Sequence, residues 1–307
     1  MTQSKIIAGL LAAFSERRPI RGRSLIITVF GDAISQHGGS VWLGSLIRAL
    51  APFGLNDRLV RTSVYRLLQE NWLTSHQVGR RSYYSLSESG LRQYQRAARR
   101  IYAATRPRWD GRWILVLPAF LADDEREQLR RQLRWAGYGA LASGMLGRPG
   151  GDRRVLDETL QELGATDKVI VLHAHTEDAP SQIALRSLSR DCWQIDQLEA
   201  SYQDFLTTFR PVLSAIRRPG ALSPQECFQV RSLCVHEYRR ILLKDTDLPD
   251  ELLPGDWAGK AARTLATNLY HATYRGAEQY LVEHMETADG NLPPADGSFY
   301  ERFGGLG

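Results

Sequence analysis

The sequence predicts an α+β protein with an N-terminal winged helix-turn-helix, a central ferredoxin-like α/β sandwich and a C-terminal all-helical segment. Three observations support this prediction. An arginine-faced amphipathic helix precedes a short hairpin, strands alternate with helices between residues 113 and 173, and helical spacing dominates after residue 178. A proline at position 107 separates the first two segments, because proline cannot continue a helix. We expect segments of residues 1–106, 107–178 and 179–307.

Residues 41–50 and 56–69 are predicted to form the two helices of the helix-turn-helix. Asn56 is a suitable N-cap for the second helix, and Gly54 supplies the preceding turn. At about 100° per residue, apolar residues share one half of that helix: Leu59, Val60, Val64, Leu67 and Leu68. Arginines and neutral hydrogen-bonding residues share the other: Arg58, Arg61, Thr62, Tyr65, Arg66 and Gln69. An arginine-rich face without acids is typical of a helix laid in the DNA major groove.

A predicted hairpin follows this helix. Residues 72–74 and 82–86 are rich in β-formers, Gly79 offers the tight turn, and Arg80 and Arg81 stand at its tip. A helix-turn-helix followed by such a hairpin is a winged helix, and we add Tyr83 of the second strand to its candidate DNA contacts. An amphipathic helix beside a surface hairpin of no function is the alternative interpretation.

The charge distribution favours a polyanionic partner for this segment. The chain of 307 residues has a net charge of +5, but residues 1–112 alone hold 18 Lys and Arg against 6 Asp and Glu. No apolar run approaches the roughly 20 residues of a membrane span, and we find no secretory signal, so we expect a cytoplasmic protein. The three cysteines lack metal-ligand spacing, and we predict neither a metal nor a cofactor.

The remaining segments are predicted from periodicity and helix signals. Strands at 113–120, 139–147 and 169–173 alternate with helices at 123–136 and 155–163. Further on, Pro211 should kink or end a helix, and Ser223 with Glu226 forms a capping box for the next one. A long helix is expected at 257–286, followed by a loosely ordered Gly/Pro-rich tail at 291–307.

Several stretches carry a specific resemblance to a known family. They are SLIITVFGDAISQHGGSVWLGSLIRALAPFGLNDRLVRTSVYRLLQENWL, the wing GRRSYYSLSESG, WILVLP, and LKDTDLPDELLPGDWAGKAA. The chain resembles the phenylacetic acid degradation operon repressor (PaaX) family. The resemblance implies a transcriptional repressor that binds operator DNA and is released by phenylacetyl-coenzyme A. It matches residues 56–69 to the recognition helix and residues 79–84 to the wing.

The resemblance implies that the candidate residues are DNA contacts. Arg58, Arg61, Thr62 and Tyr65 become candidates for base edges. Arg66, Arg80 and Arg81 suit phosphates, which position a protein rather than specify a sequence. An acyl-coenzyme A effector needs cations beside apolar walls. Its candidate residues are Arg239, Arg240, Lys244 and Trp257, although these cations also suit a helix C-terminus.

An enzyme acting on nucleic acid or on a thioester is the alternative function. The central segment resembles the Cas2 nuclease fold, in which an acidic residue ends the first strand; here no carboxylate follows before Asp123. His173 and His175 have the spacing of zinc ligands and precede Glu177 and Asp178, but a strand end entering a polar loop explains them more simply. We predict no catalytic residue, and expect a homodimer whose central segment serves dimerisation or spacing.

Overall fold

The computed structural model describes residues 3–17, 20, 22–103, 109–151, 153–176, 179–216 and 222–306. Its helices are α1 (Gln3–Ser15), α2 (Gly22–Asp32), α3 (Leu43–Leu50), α4 (Asp57–Gln69), α5 (Glu88–Ile101), α6 (Asp123–Trp135), α7 (Arg153–Glu162), α8 (Ala179–Cys192), α9 (Ile195–Ile216), α10 (Pro224–Leu242) and α11 (Ala258–His284). Its strands are β1 (Ser40–Trp42), β2 (Leu73–Val78), β3 (Arg81–Leu86), β4 (Arg112–Leu117), β5 (Gly139–Ala142), β6 (Met145–Pro149), β7 (Ile170–His175), β8 (Glu286–Thr287) and β9 (Gly290–Asn291).

A winged helix-turn-helix occupies the N-terminal part of the chain. Its antiparallel sheet has the order β1-β3-β2, with helices α2, α3 and α4 packed beside it. Asn56 caps α4 as predicted, since its side-chain oxygen accepts a hydrogen bond of 2.9 Å from the backbone N–H of Leu59. The preceding turn requires Gly54, whose φ of 79° is left-handed. Local sequence signals therefore set where the exposed helix begins.

The chain divides into two compact units, and the winged helix belongs to the first. This unit combines residues 1–105 with 203–240 and 260–307, so distant parts of the sequence share one core. Helix α2 illustrates this sharing. Nine of its eleven residues are buried, and Gly31 lies so close to Tyr94 that an added Cβ would be 2.2 Å from the tyrosine ring.

The second unit is formed by residues 106–202 with 241–259, and it contains the ferredoxin-like sandwich. Its antiparallel sheet has the order β5-β6-β4-β7, and the chain passes through it as β-α-β-β-α-β. Val116 on the central strand β4 faces the leucines of α6 and α7 in one apolar core. The predicted α+β architecture is confirmed.

Three local predictions need correction. Val41 and Trp42 belong to β1 rather than to the first helix, because they pair with Tyr84 and Tyr83 of the wing. Of the two outcomes expected at Pro211, an end of the helix is wrong, because α9 continues to Ile216. The tail is packed rather than loose: Phe299 and Leu306 are buried, and His37 bonds the carbonyl of Pro293.

Candidate nucleic-acid interface

Helix α4 presents the predicted set of polar side chains on one exposed face. Behind that face, Val60, Val64 and Leu67 are buried in the first unit, which fixes the rotation of the helix. Tyr65 is 62% exposed although it is a large aromatic residue. The structure therefore brings together, on the solvent side, all six residues predicted on this helix: Arg58, Arg61, Thr62, Tyr65, Arg66 and Gln69.

The arginines of α4 differ in what they contact. Arg61 forms a two-pronged pair with Asp57 one turn earlier; Nη2 lies 3.3 Å from Oδ2, and Nε also bonds the carboxylate. Arg58 and Arg66 form no ion pair within the described part of the chain. The helix thus holds one arginine in a fixed fork and leaves two cations exposed to a polyanion.

The wing places one of its two predicted arginines at its tip. Val78 and Arg81 pair across a two-residue turn made of Gly79 and Arg80, in which Gly79 has a φ of 61°. The side chain of Gln77 donates a hydrogen bond of 3.0 Å to the carbonyl of Gly79. Arg80 is exposed at the end of the hairpin, where a phosphate could reach it.

Arg81 has a different environment. Its guanidinium lies 4.2 Å from the ring centroid of Trp42, and Nη1 is 2.7 Å from Oε2 of Glu286. This hydrogen bond with Glu286 is the main reason that the pKa of Arg81 is raised. Arg48 of α3 reaches the other oxygen of the same carboxylate at 3.1 Å and also lies over Trp42, at 5.1 Å. A carboxylate from near the C-terminus therefore holds two arginines beside the wing.

Tyr83 does not lie on the exposed surface predicted for it. Its side chain is only 3% exposed, and its ring stacks on His76 with centroids 5.4 Å apart. The cause is its position in β3, the central strand, where it pairs with both Trp42 and His76. The side chain of Tyr83 is therefore buried, and it is a hydrogen-bond partner of Arg81 rather than part of the exposed surface.

Sequence reasoning missed Arg48, Trp42 and Glu286. Arg48 sits in the last turn of the first helix of the motif, an element that commonly crosses the DNA backbone, so its position was a usable signal. Glu286 is 205 residues from Arg81 and gave no local signal of their pairing.

Comparisons with known proteins cover most of the chain. Residues 21–90 match the family model described as PaaX-like protein, residues 106–185 the PaaX protein central Cas2-like domain, and residues 193–283 the PaaX-like protein C-terminal domain. The transcriptional repressor PaaX of Escherichia coli strain K12 is 40% identical over 289 residues, covering 94% of this chain and 92% of that protein. The chain belongs to the PaaX-like family.

A solved structure also matches the chain. The uncharacterized protein Rv0674 from Mycobacterium tuberculosis has a TM-score of 0.55 and 23% identity, over 83% of this chain and 96% of that one. At that identity the likeness shows the fold alone. The E. coli relative in the PaaX-like family is a transcriptional repressor.

The four candidate effector residues fall into different parts of the PaaX-like chain. Arg239 and Arg240 belong to the first compact unit, whereas Lys244 and Trp257 belong to the second. Arg240 bonds Glu237 at 2.7 Å, and Lys244 is exposed just after α10. Trp257 is buried with its ring against Tyr202. Their environments differ, and Arg239 is the most deeply buried of the three cations.

The histidines of β7 show no metal cluster. His175 bonds the backbone carbonyl of Asp110 at 3.0 Å, and His173 pairs with Ile114 across the sheet. The described residues contain no group of three or more His, Cys, Asp or Glu able to hold a metal ion, while Glu177 and Asp178 lie outside them. Asp123 lies in the first turn of α6 and pairs with Arg126. No described helix is both long and apolar enough to span a membrane.

Proposed function

We propose that this protein is a cytoplasmic transcriptional repressor of a phenylacetate catabolic operon, released from its operator by phenylacetyl-coenzyme A. The observation that carries the proposal is the exposed polar face of α4, with its arginines, in a member of the PaaX-like family. The E. coli relative, named as a transcriptional repressor, supports the regulatory part. The phenylacetate and thioester parts follow from the family resemblance of the motifs.

In this proposal α4 enters the major groove. Arg58, Arg61, Thr62, Tyr65 and Gln69 face base edges, where an arginine can pair with both O6 and N7 of guanine. Asp57 keeps the Arg61 fork extended in the free protein, and DNA replaces that carboxylate on binding. Arg66 and Arg80 contact phosphates beside the groove, and Arg81 does so once it leaves Glu286.

The proposed release is a linkage effect. The thioester must bind the DNA-free conformation more tightly than the DNA-bound one, since a ligand with equal affinity for both shifts nothing. We also propose a homodimer, because helix-turn-helix repressors commonly read two half-sites one helical turn apart. The central segment 107–178 would serve dimerisation or spacing, between a DNA-binding segment 1–106 and an effector-binding segment 179–307.

Fluorescence anisotropy with DNA from upstream of the gene tests the proposal. We expect tight binding that is lost with phenylacetyl-coenzyme A but kept with free phenylacetate or coenzyme A. Operator binding that the thioester does not change would support the repressor and contradict the proposed effector. Thioester hydrolysis or metal-dependent DNA cleavage would instead favour the enzyme. Sedimentation of the free protein and of its DNA complex tests the homodimer.

Two substitutions test the assignment of α4. Arg58→Ala should weaken operator binding by about 1–3 kcal/mol and relax sequence preference, because it removes a base contact. Arg66→Ala should weaken binding to all DNA sequences equally. It should also reduce the slope of log affinity against log salt concentration by about one. Arg130→Ala is the matched control, since it removes an exposed, ion-paired arginine from α6 in the other unit. Wild-type affinity in both test variants would remove α4 from the interface.

A further inference from the structure

Arg239 on α10 is a buried cation without a counter-ion. Its side chain is 5% exposed, and its Nε has no hydrogen-bond partner. It forms no ion pair with any residue that the structure describes. An isolated charge taken out of water is destabilising unless an opposite charge or several hydrogen bonds compensate it. Burial accordingly lowers the pKa of Arg239.

The groups that favour the charged form of Arg239 are two tyrosines that carry no charge at neutral pH. Tyr94 and Tyr102 lie near it, with their hydroxyl oxygens 2.9 Å apart. Burial raises the pKa of Tyr94 to about 12 and that of Tyr102 well above its usual value. Both phenols therefore remain protonated, and they line the surroundings of Arg239 without neutralising it.

The nearby carboxylates already serve other cations. Glu237 accepts hydrogen bonds from Arg17 and from Arg240, each of 2.7 Å. Asp32, which accepts from the hydroxyl of Tyr102, is bound in addition by Arg231 and Arg302. His236, one turn before Arg239, has a pKa lowered to about 3 and is neutral. Neither Glu237 nor Asp32 is therefore left to balance the charge of Arg239.

We infer that Arg239 is the anion-binding residue of an internal ligand site in the first unit, which takes an anionic oxygen group, phosphate or carboxylate, on an aromatic or apolar ligand. The inference rests on the proposed function in identifying that ligand as the effector. The incoming oxygens would supply the missing negative charge, and the tyrosine rings an apolar surrounding. The inference assigns this role to Arg239 and not to Arg240, because Arg240 already pairs with Glu237.

The position of Arg239 also connects such a site with the DNA-binding motif. His236 is on the same helix, and its Nδ1 atom lies 3.3 Å from Oγ1 of Thr28 on α2. Helix α2 in turn packs directly against α4. An anion that moves this part of α10 would therefore act on the helix that supports the recognition helix.

Arg239→Met tests the inference, with Arg240→Met as the matched control. Thermal unfolding and calorimetry are measured on the full chain with phenylacetyl-coenzyme A, coenzyme A, phenylacetate and inorganic phosphate. We expect the ligand-free Tm of Arg239→Met to equal or exceed that of the wild type, since an uncompensated charge is removed. Its affinity for the anionic ligand should fall by about ten- to a hundredfold. Arg240→Met should keep the wild-type affinity.

The choice of ligands identifies the anion. Binding shared by the thioester and coenzyme A would place a phosphate on Arg239, whereas binding by phenylacetate would place a carboxylate there. The inference would be overturned if Arg239→Met failed to fold, or if its ligand-free Tm were below that of the wild type. Either result would show that Arg239 has a stabilising partner within the protein. Unchanged affinity in that variant, or no binding of any ligand by the wild type, would also overturn it. Operator binding, measured separately, decides the proposed repressor independently of these results.

Discussion

His236 shows at the scale of one residue how packing sets a charge state. The side chain is fully buried on α10, with its ring edge-on to Phe14 at 5.6 Å. Burial first, and then the positive charges of Arg240 and Arg239, lower its pKa to about 3. The imidazole is therefore neutral in the folded protein between about pH 3 and pH 6.5, a range in which an exposed histidine would be protonated.

This predicts a stability that falls with acid. Below the ordinary pKa of 6.5 the unfolded chain binds a proton that the folded His236 does not bind, so acid favours unfolding. The free energy of unfolding should lose about 1.4 kcal/mol per pH unit from this group, or about 2 kcal/mol by about pH 5. The free energy of unfolding of His236→Gln should fall less over the same pH range, because this group no longer takes up a proton on unfolding. Urea unfolding of both proteins at about pH 7 and about pH 5 measures the difference, and equal losses would contradict the prediction.

At the scale of elements, the short hairpin β8–β9 and the wing are connected through one carboxylate. Glu286 of β8 holds Arg81 of β3 and Arg48 of α3, and both guanidinium groups lie over Trp42. The backbone N–H of Glu286 also bonds Oγ of Ser45. A phosphate arriving at the wing must therefore compete with Glu286 for its two arginines.

We predict that Glu286→Gln tightens operator binding. The substitution releases two arginines and removes a negative charge, so affinity should rise about three- to tenfold at low salt, with a salt dependence steeper by about one or two ions. Stability should change little, because partly exposed pairs contribute about 0–1 kcal/mol. Glu283→Gln is the control, because it removes the same negative charge from an exposed residue of α11, about one turn away. Weaker binding by Glu286→Gln would instead mean that the carboxylate positions the wing for DNA.

These elements also show what the sequence could predict. The start of α4 was predictable because Asn56 caps it locally, and its exposed face because apolar residues recur at helical spacing. The alternation of strands and helices likewise predicted the sandwich. The buried position of Tyr83 was not predictable from the wing alone, because it depends on pairing with a strand 41 residues earlier, at Trp42. The ordered tail depends on contacts of the same long-range kind, such as that of Phe303 with Tyr102.

At the scale of the whole molecule, the winged helix shares a core with the C-terminal helices. Asp32, at the end of α2, is 2% exposed and accepts hydrogen bonds from Arg231 at 2.8 Å and from Tyr270 at 3.0 Å. Burial alone would raise its pKa, but the charges of Arg231 and Arg302 lower it overall. A charged Asp32 therefore requires partners that lie about two hundred residues further along the chain.

This arrangement predicts different behaviour for two fragments of the chain. Residues 1–103 alone would leave Asp32 in an apolar core without Arg231, and removing one partner of a buried pair costs about 3–5 kcal/mol, a large share of a domain's stability. We expect this fragment to lack a cooperative thermal transition. Residues 106–202 contain the apolar cluster of the ferredoxin-like sandwich, from Ile114 to Ala165, and should unfold cooperatively.

Circular dichroism and one-dimensional NMR of the two fragments and the full chain make the comparison. The fragment 106–202 serves as the control for the handling of truncated chains, because it is of similar length. Cooperative unfolding of residues 1–103 near the Tm of the full chain would show that the winged helix folds independently. In that case the Asp32–Arg231 pair would join two separately stable parts, and a ligand at α10 could not act by altering a shared core. Loss of folding in that fragment alone would mean that DNA-binding and C-terminal segments are one thermodynamic body, in which binding at either place changes the other.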